Sequence, residues 1–162
     1  MLTQECLREL LHYDPNTGIF SWRVARSNRV KIGDPTGCQK QCGAHLYLVI
    51  SIGTRVYYAH RLAWLYMTGE WPERDVDHED RNGLNNRWSN LREATRSQNN
   101  ANRCVDSRNR FGLKGVRKSK NGKRFTTVVD GRYAGTFDTP DEAHAAYVAK
   151  AAEVFGEFAR AA

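Results

Sequence analysis

The chain has 162 residues, which is long enough for one medium domain or two small ones. Hydrophobic residues make up 40% and aromatic residues 10% of it, as in a folded globular protein, and no apolar run approaches the ~20 residues of a membrane span. The formal net charge of +7 favours a polyanionic partner, nucleic acid before membrane. Because the first residues lack the basic start and apolar stretch of a secretory signal, we expect a cytoplasmic protein.

The first half of the chain carries the local patterns of a mixed scaffold. Thr3 can cap a helix in which Leu7, Leu10 and Leu11 share one face. Further on, Gly53 can reverse the chain between two short strand-like segments, and Gly69 can stop a helix. We therefore predict a helix over residues 3–12, a turn at 14–18, a hairpin of strands 46–52 and 55–59, and a helix over 61–68.

The segment 76–102 is unusually dense in Asp, His and Asn. On a strand, Asp77 and His78 point to opposite sides unless the strand ends or bulges there. A loop that runs to Asn90 can bring that amide back toward the histidine, where it can orient the imidazole. Residues 91–94 would form a second strand. The pattern is typical of a ββα metal site.

The helix that follows would complete this site. Ser97 can cap it, and Asn99 lies in its first turn with a side-chain oxygen able to face Asp77. A carboxylate and an amide oxygen suit Mg²⁺, with Mn²⁺ as a substitute, better than zinc or copper. His78 would act as general base, because an ordinary imidazole is largely neutral at cellular pH.

A zinc site is the alternative metal interpretation. Cys38 and Cys42, with His45 nearby, could contribute ligands, but the chain contains no C-x-x-C pair and the remaining cysteines have no matching partner. We therefore expect the cysteines to be free thiols and no zinc to be bound.

Four stretches of the chain resemble HNH homing endonucleases of phages and mobile introns. The resemblance implies that His78 is the general base, Asp77 binds the metal, Asn90 orients the base, and a residue of the next helix completes the metal site. Asn99 takes that last role, with Asn102 as the competing ligand, and His60 is expected to be structural or to contact phosphate. The matching stretches are YDPNTGIFSW at 13–22, AHRLAWLYMTG at 59–69, VDHEDRNGLNNRWSNLREAT at 76–95 and SQNNAN at 97–102.

The chain beyond residue 103 has the pattern of a separate small domain. Polar residues 101–111 suggest a linker, so we predict a first domain at 1–103 and a second at 104–162. Asn121-Gly122 and Asp130-Gly131 are turn signals between the predicted strands 113–116, 124–129 and 132–137. Thr139, Pro140 and Glu142 mark the start of a helix, in which Ala143, Tyr147, Ala151, Val154 and Phe155 would face the sheet.

Basic and aromatic side chains cluster on this predicted sheet. The motifs KGVRKSKNGKRF from Lys114, GRYAGTF from Gly131 and TPDEAHAAYVAKAAEVFG from Thr139 resemble the AP2 DNA-binding domain. In that family the sheet lies in the major groove, where arginine and aromatic side chains contact bases and phosphates. By this resemblance the expected DNA contacts are Arg117, Lys118, Arg124, Arg132 and Tyr133.

The sequence therefore predicts an α+β protein with a ββα-metal nuclease domain, followed by a three-stranded antiparallel sheet packed on one helix. The predicted function is hydrolysis of double-stranded DNA by a site-preferring, homing-type nicking endonuclease. The alternative is a sequence-specific DNA-binding regulator whose HNH unit is degenerate. We expect a monomer, because the chain has a single catalytic centre and neither a coiled-coil heptad nor an apolar dimer stripe.

Overall fold

The structure is a computed structural model, and it describes residues 1–43, 45–105 and 109–161. The chain forms two compact units, Met1–Ala94 and Thr95–Ala162, each built from helices and antiparallel strands. The mixed α+β class predicted from the sequence is confirmed. The domain boundary after residue 103 stays a prediction, and part of the proposed linker, 106–108, lies outside the described residues. No helix in the described ranges is long and apolar enough to cross a membrane.

The first unit alternates short strands with two helices. Its elements are α1 (Gln4–Leu10), β1 (Leu11–Asp14), β2 (Ile19–Trp22), β3 (Pro35–Thr36), β4 (Cys38–Cys42), β5 (His45–Ile52), β6 (Arg55–Tyr58), α2 (Ala59–Thr68), β7 (Asp75–His78), a 3₁₀ turn (Trp88–Asn90) and β8 (Leu91–Ala94). The strands pair in the orders β1-β2-β3, β4-β5-β6 and β7-β8. The predicted strand at 91–94 and the predicted hairpin of β5 and β6 are confirmed.

A single apolar core holds these small sheets together, because none of them could bury enough surface alone. Side chains from both helices and from the strands meet in it, among them Leu7 of α1, Phe20 of β2, Ile50 of β5 and Leu62 of α2. All four are fully buried. β7 and β8 join the same core through Val76 and Leu91. The strand that ends at the predicted base is therefore anchored in the core.

Two helix ends follow the predicted signals, but α1 ends at Leu10 and not at residue 12, because Leu11 is extended and begins β1. Thr3 caps α1 by accepting a hydrogen bond from the Cys6 amide. Gly69 ends α2 in the left-handed conformation, with φ of 90°, and its amide donates to the Leu65 carbonyl. α2 begins at Ala59, directly after β6, so the helix is longer than predicted and includes His60 in its first turn.

The second unit packs a three-stranded sheet against one long helix. Its elements are α3 (Arg96–Asn102), β9 (Val116–Lys118), β10 (Phe125–Val129), β11 (Arg132–Phe137), α4 (Pro140–Phe155) and a 3₁₀ turn (Gly156–Phe158). The strand order is β11-β10-β9. A capping box of Thr139 and Glu142, with proline in the first turn, starts α4 where the sequence predicted it. Ala143, Tyr147, Ala151 and Phe155 are buried.

Three local predictions in this unit are wrong. α3 is capped by Thr95 in a capping box with Gln98, so Ser97 lies inside the helix. Val154 is 38% exposed and does not belong to the buried face of α4. β9 begins at Val116 and not at residue 113, because Gly115 adopts φ of +77°, a conformation outside the strand region, at a place where a Cβ would collide with the Tyr147 ring.

Candidate active site

Strand β7 ends at the acidic residue and the histidine that the sequence singles out. Its register with β8 places Asp77 opposite Arg92 and His78 opposite Leu91. Because cross-strand partners share a face and successive residues alternate, Asp77 and His78 face opposite sides of this two-stranded sheet. Both side chains are buried, with 6% and 5% of their surface exposed. The tertiary structure thus takes a carboxylate and an imidazole out of water at the end of one strand.

The imidazole of His78 has an amide partner in the loop that follows β7. Its Nε2 lies 3.3 Å from Oδ1 of Asn86, a residue that is 1% exposed. The Asn86 amide nitrogen donates to the Leu84 carbonyl at 3.1 Å, so its oxygen is the end that faces His78. Since that oxygen can only accept, the neutral imidazole carries its proton on Nε2 and its lone pair on Nδ1. The loop therefore selects one tautomer of the histidine.

Two aromatic rings lie next to His78, and a third stacks on one of them. The His60 ring is 5.0 Å away and meets it edge to face, and the Tyr47 ring is 6.1 Å away. Tyr58 stacks on His60 at 5.4 Å. Burial lowers the pKa of His78, while the hydrogen bond to Asn86 and the carboxylates of Asp80 and Asp77 act in the opposite direction. His78 is therefore held as a neutral imidazole that can accept a proton.

His60 is the second buried histidine of this cluster. It is 8% exposed, and its Nδ1 has no hydrogen-bond partner among the described residues. Burial, with smaller contributions from His78 and Arg61, lowers the pKa of His60 to about 3. The ring is thus neutral and acts as a wall of the His78 pocket.

Asn90 lies in a different place from the one expected. Its Oδ1 accepts from the Asp80 amide at 3.0 Å, and its Nδ2 donates to Asp80 Oδ1 and to the Asn85 carbonyl. Its main-chain carbonyl accepts from the Glu79 amide at 2.9 Å. Asn90 therefore fastens the two ends of the loop together. The amide that reaches His78 belongs to Asn86, four residues earlier.

Asp77 is paired with the arginine opposite it. Arg92 Nε and Nη2 lie 3.2 and 3.1 Å from Asp77 Oδ2. No group of three or more His, Cys, Asp and Glu side chains suited to a metal ion occurs within residues 1–43, 45–105 and 109–161. A carboxylate with amide oxygens is a hard donor set that suits Mg²⁺ or Mn²⁺ retaining several waters. These donors therefore fit a hard divalent cation with few protein ligands.

The two candidates for the second metal ligand lie in α3 of the second unit. Asn99 directly follows the capping box that Thr95 and Gln98 form, and its main-chain amide donates to the Thr95 carbonyl. Asn102 is buried, and its Oδ1 accepts a hydrogen bond from Arg160 Nε at 3.2 Å. This bond engages the oxygen that a cation at Asn102 would need. The pairing of Asn99 with Asp77 stays a prediction.

The segment with this geometry has relatives among known proteins. Residues 57–101 match the HNH endonuclease family. The chain is also similar to an uncharacterized HNH endonuclease of Acanthamoeba polyphaga mimivirus, with 45% identity over 87 residues, which are 52% of this chain and 44% of that protein. The match therefore spans less than half of the relative's length. No solved structure matches the chain at a significant level.

The HNH endonuclease domain predicted from the sequence is thus confirmed within residues 57–101. This segment includes His60, Asp77, His78 and Asn86, and also the residues Asn90 and Asn99. Sequence reasoning missed Asn86 and the contact of Arg92 with Asp77. If His78 pairs with Leu91 in the antiparallel strands β7 and β8, Asp77 must lie opposite Arg92. The strand register could therefore have indicated the contact between Asp77 and Arg92. No local signal distinguishes Asn86 from its neighbour Asn85.

Outside the HNH segment, the sheet of the second unit carries the predicted DNA contacts. Cross-strand pairing places Arg117 opposite Thr126, and Thr126 opposite Thr136, on the face away from the buried Thr127 and Val129. Tyr133, opposite Val128, shares that outer face and is 67% exposed. Lys118 and Arg132 are exposed but occupy the register of Phe125 and Val129, on the side of α4.

Two basic residues just before strands of this sheet, Lys114 and Arg124, already have partners. Arg124 Nε forms an ion pair with Asp138 at 2.8 Å, although both side chains remain largely exposed. Lys114 donates to the carbonyls of Ala101 and Arg103, so it caps the end of α3. The outer face also has a shallow depression, lined by Ser119, Lys120, Asn121, Arg124 and Thr136. Arg117 and Tyr133 are therefore the most available of the predicted contacts on this face.

Proposed function

We propose that this protein is a metal-dependent DNA endonuclease of the homing HNH type, which nicks double-stranded DNA as a monomer. One observation carries the proposal. His78, buried at the end of β7 next to Asp77, is held in a single tautomer by Asn86 within the segment that matches HNH endonucleases. A buried neutral imidazole with a defined lone pair is suited to general-base catalysis.

In this proposal His78 Nδ1 accepts a proton from the water that attacks the phosphodiester. The oxygen of that water forms the new bond to phosphorus, and the bond from phosphorus to the leaving 3′ oxygen breaks. The Nε2–H group of His78 continues to donate to Asn86 Oδ1, so the imidazolium that forms keeps a hydrogen bond to a neutral acceptor. Asp77 and Asn99 would hold the divalent cation, Mg²⁺ or Mn²⁺. When bound, that cation supplies positive charge that stabilises the phosphorane-like transition state.

Arg92 and Asn90 have supporting roles in the same proposal. Arg92 keeps the buried carboxylate of Asp77 paired and oriented before a cation binds. Asn90 closes the loop that carries Asn86, so we assign it an indirect effect on the base in place of a direct contact. Both residues would therefore affect the chemical step without touching the substrate.

The second unit would bind the DNA in the manner of an AP2 domain. Arg117 and Tyr133 on the outer face would contact the duplex directly, with Arg124 beside them. Lys118 and Arg132 lie near the strand ends, where they could contact phosphates at the edges of the same groove. The sheet is the element that would enter the major groove.

A plasmid-nicking assay tests the catalytic proposal. Supercoiled DNA is incubated with Mg²⁺, with Mn²⁺ and with EDTA, and the open-circle product is measured. We expect cleavage with either cation, none with EDTA, and none for His78→Ala, because that variant lacks the proton acceptor. His12→Ala, which removes an exposed histidine of β1, is the matched control and should cleave like the wild type.

The pattern of products tests the rest of the proposal. Open circles that accumulate before linear DNA indicate a monomer that cuts one strand. Prompt linear product, second order in protein, would contradict the monomer. DNA binding with no cleavage under any of these conditions would favour the alternative, a DNA-binding regulator.

A further inference from the structure

The motif YDPNTG at residues 13–18 lies outside residues 57–101, which match the HNH endonuclease family, yet it contacts the loop that follows the proposed base. It forms the end of β1 and the turn into β2. Asp14 closes this turn by accepting hydrogen bonds from the Asn16 amide and the Thr17 hydroxyl. The turn is thus a rigid piece of backbone with a sequence signature that the catalytic proposal does not use.

Two hydrogen bonds connect this hairpin with the loop. The Tyr13 hydroxyl donates to the main-chain carbonyl of Asn86 at 2.6 Å. The Trp88 amide donates to the Pro15 carbonyl at 2.9 Å. Tyr13 and Asn86 are 73 residues apart in the chain. The hairpin therefore holds the loop on both sides of residue 87.

A close backbone approach reinforces these bonds. Gly18 has φ of +75°, and a Cβ added to it would lie 2.4 Å from the Asn86 carbonyl carbon and 2.5 Å from the Arg87 amide nitrogen. Only glycine permits this contact without displacing the peptide. The peptide between Asn86 and Arg87 is thus clamped between the Gly18 backbone and the Tyr13 hydroxyl.

Tyr13 is itself held rigidly. It is 1% exposed, stacks on Phe20 with ring centroids 4.7 Å apart, and meets the edge of Tyr66 at 5.6 Å. Burial raises the pKa of Tyr13 strongly, so the hydroxyl remains protonated and can donate to the Asn86 carbonyl. A donor fixed in the core can hold its acceptor to a narrow range of positions.

We propose that Tyr13 is a positioning residue for the endonuclease reaction, and that it acts on His78 through Asn86. This inference rests on the proposed function, in which His78 is the base. The hydroxyl fixes the backbone of Asn86, which is the residue whose side chain selects the Nε2–H tautomer of His78. A small displacement of a catalytic group strongly lowers the rate of the chemical step, whereas it changes the affinity for the substrate far less.

The first test compares two variants that each remove one hydroxyl from the same aromatic cluster. Tyr13→Phe removes the donor to Asn86, whereas Tyr66→Phe removes a hydroxyl whose ring lies beside Tyr13. We expect kcat for plasmid nicking to fall roughly 10-fold in Tyr13→Phe with KM and DNA affinity unchanged. Tyr66→Phe should retain the wild-type kcat. Equal kcat values for the two variants would overturn the proposal.

A double-mutant cycle with Asn86→Ala tests the route through Asn86. If Tyr13 acts through the Asn86 side chain, Tyr13→Phe should cause no further loss of kcat in the Asn86→Ala background. Additive losses would contradict this route and indicate a general effect on folding. Circular dichroism establishes that each variant is folded.

A spectroscopic measurement decides the inference independently of cleavage. The side-chain ¹⁵N shifts of His78, recorded on the full chain at a pH where the ring is neutral, report which nitrogen carries the proton. We expect the Nε2–H tautomer in the wild type and Tyr66→Phe, and a mixture in Tyr13→Phe and Asn86→Ala. An unchanged tautomer in Tyr13→Phe would overturn the inference. Absence of cleavage by the wild type would instead overturn the proposed function, while the tautomer shifts would still test Tyr13.

Discussion

At the scale of single residues, His60 shows how a buried polar atom can be retained at a cost in stability. Its Nδ1 is buried with no hydrogen-bond partner in the described part of the chain, and such a group costs about 1–3 kcal/mol. The ring packs between Tyr58 and His78, so it still contributes apolar contact. His60 therefore makes the pocket of the base more rigid and less polar, at some cost to the fold.

This environment predicts how stability depends on pH. The folded pKa of His60 is depressed to about 3 from an ordinary value of 6.5, by burial first and then by His78 and Arg61. Below about pH 6.5 the unfolded chain binds a proton that the folded chain does not, so stability falls until the pH approaches 3. His78, which also packs against His60, has a pKa that burial lowers as well.

We therefore expect the free energy of unfolding to fall more steeply with acidity in the wild type than in His60→Phe. The difference in slope should be on the order of 1 kcal/mol per pH unit between about pH 6 and 4. Urea denaturation at a series of pH values measures it. Parallel slopes would show that His60 takes up its proton in the folded state.

At the scale of elements, the loop from Glu79 to Asn90 depends on contacts at both of its faces. Partial burial raises the pKa of Asp80, but hydrogen bonds from Asn85, Asn82 and Asn90 outweigh it and lower that pKa, so the carboxylate stays charged and bonded. On the other face Gly83 lies against β5. A Cβ at this position would be 2.4 Å from the Leu46 carbonyl oxygen and 2.6 Å from the Tyr47 ring.

Gly83→Ala should therefore displace the loop from β5. A backbone oxygen cannot move aside as a flexible side chain can, so we expect a loss of about 1–3 kcal/mol in the free energy of unfolding. Since the same loop carries Asn86, kcat for nicking should fall as well. Gly53→Asn is the control, because Gly53 has open space around it and asparagine tolerates its left-handed conformation. A Gly83→Ala variant as stable and active as the control would contradict this account of the loop.

At the scale of the whole molecule, net positive charge per residue is higher in residues 104–162 than in residues 1–103. Residues 104–162 contain 11 Lys and Arg against 7 Asp and Glu, a net charge of +4, and residues 1–103 contain 14 against 11, a net charge of +3. The shorter segment thus has the larger charge. Arg117 lies on the outer face of its sheet, away from α4. The charge distribution favours this sheet as the part that holds DNA.

We expect DNA affinity to fall with salt concentration, because phosphate contacts release counterions. If Arg117 contacts a phosphate, Arg117→Ala should weaken binding and reduce the slope of log K against log salt by about 1. Lys150→Ala is the matched control, since Lys150 is an exposed cation of α4 paired with Glu153. Fluorescence anisotropy with a labelled duplex at several salt concentrations gives both slopes. Identical slopes for the two variants would remove Arg117 from the interface.

The sequence by itself determined the start of α4 and the Asp77-His78 motif. Thr139, Pro140 and Glu142 specify the start of α4 through contacts within one helical turn, and strand 91–94 was expected as the second strand of a ββα metal site. The Asp77-His78 pair was recognisable because its chemistry depends on residue type. Such signals are local, so neighbours in the chain are sufficient to produce them.

Only the tertiary structure decided which amide reaches the base and what holds that amide. The sequence favoured Asn90, whereas the folded loop turns Asn90 toward Asp80 and presents Asn86 to His78. The donor that fixes Asn86 is Tyr13, which lies 73 residues away in the chain. Asparagines of one loop have the same hydrogen-bonding groups, and their partners are set by how the loop packs on a distant hairpin. Local propensity contains no information on such a contact, because the contact exists only once the core has formed.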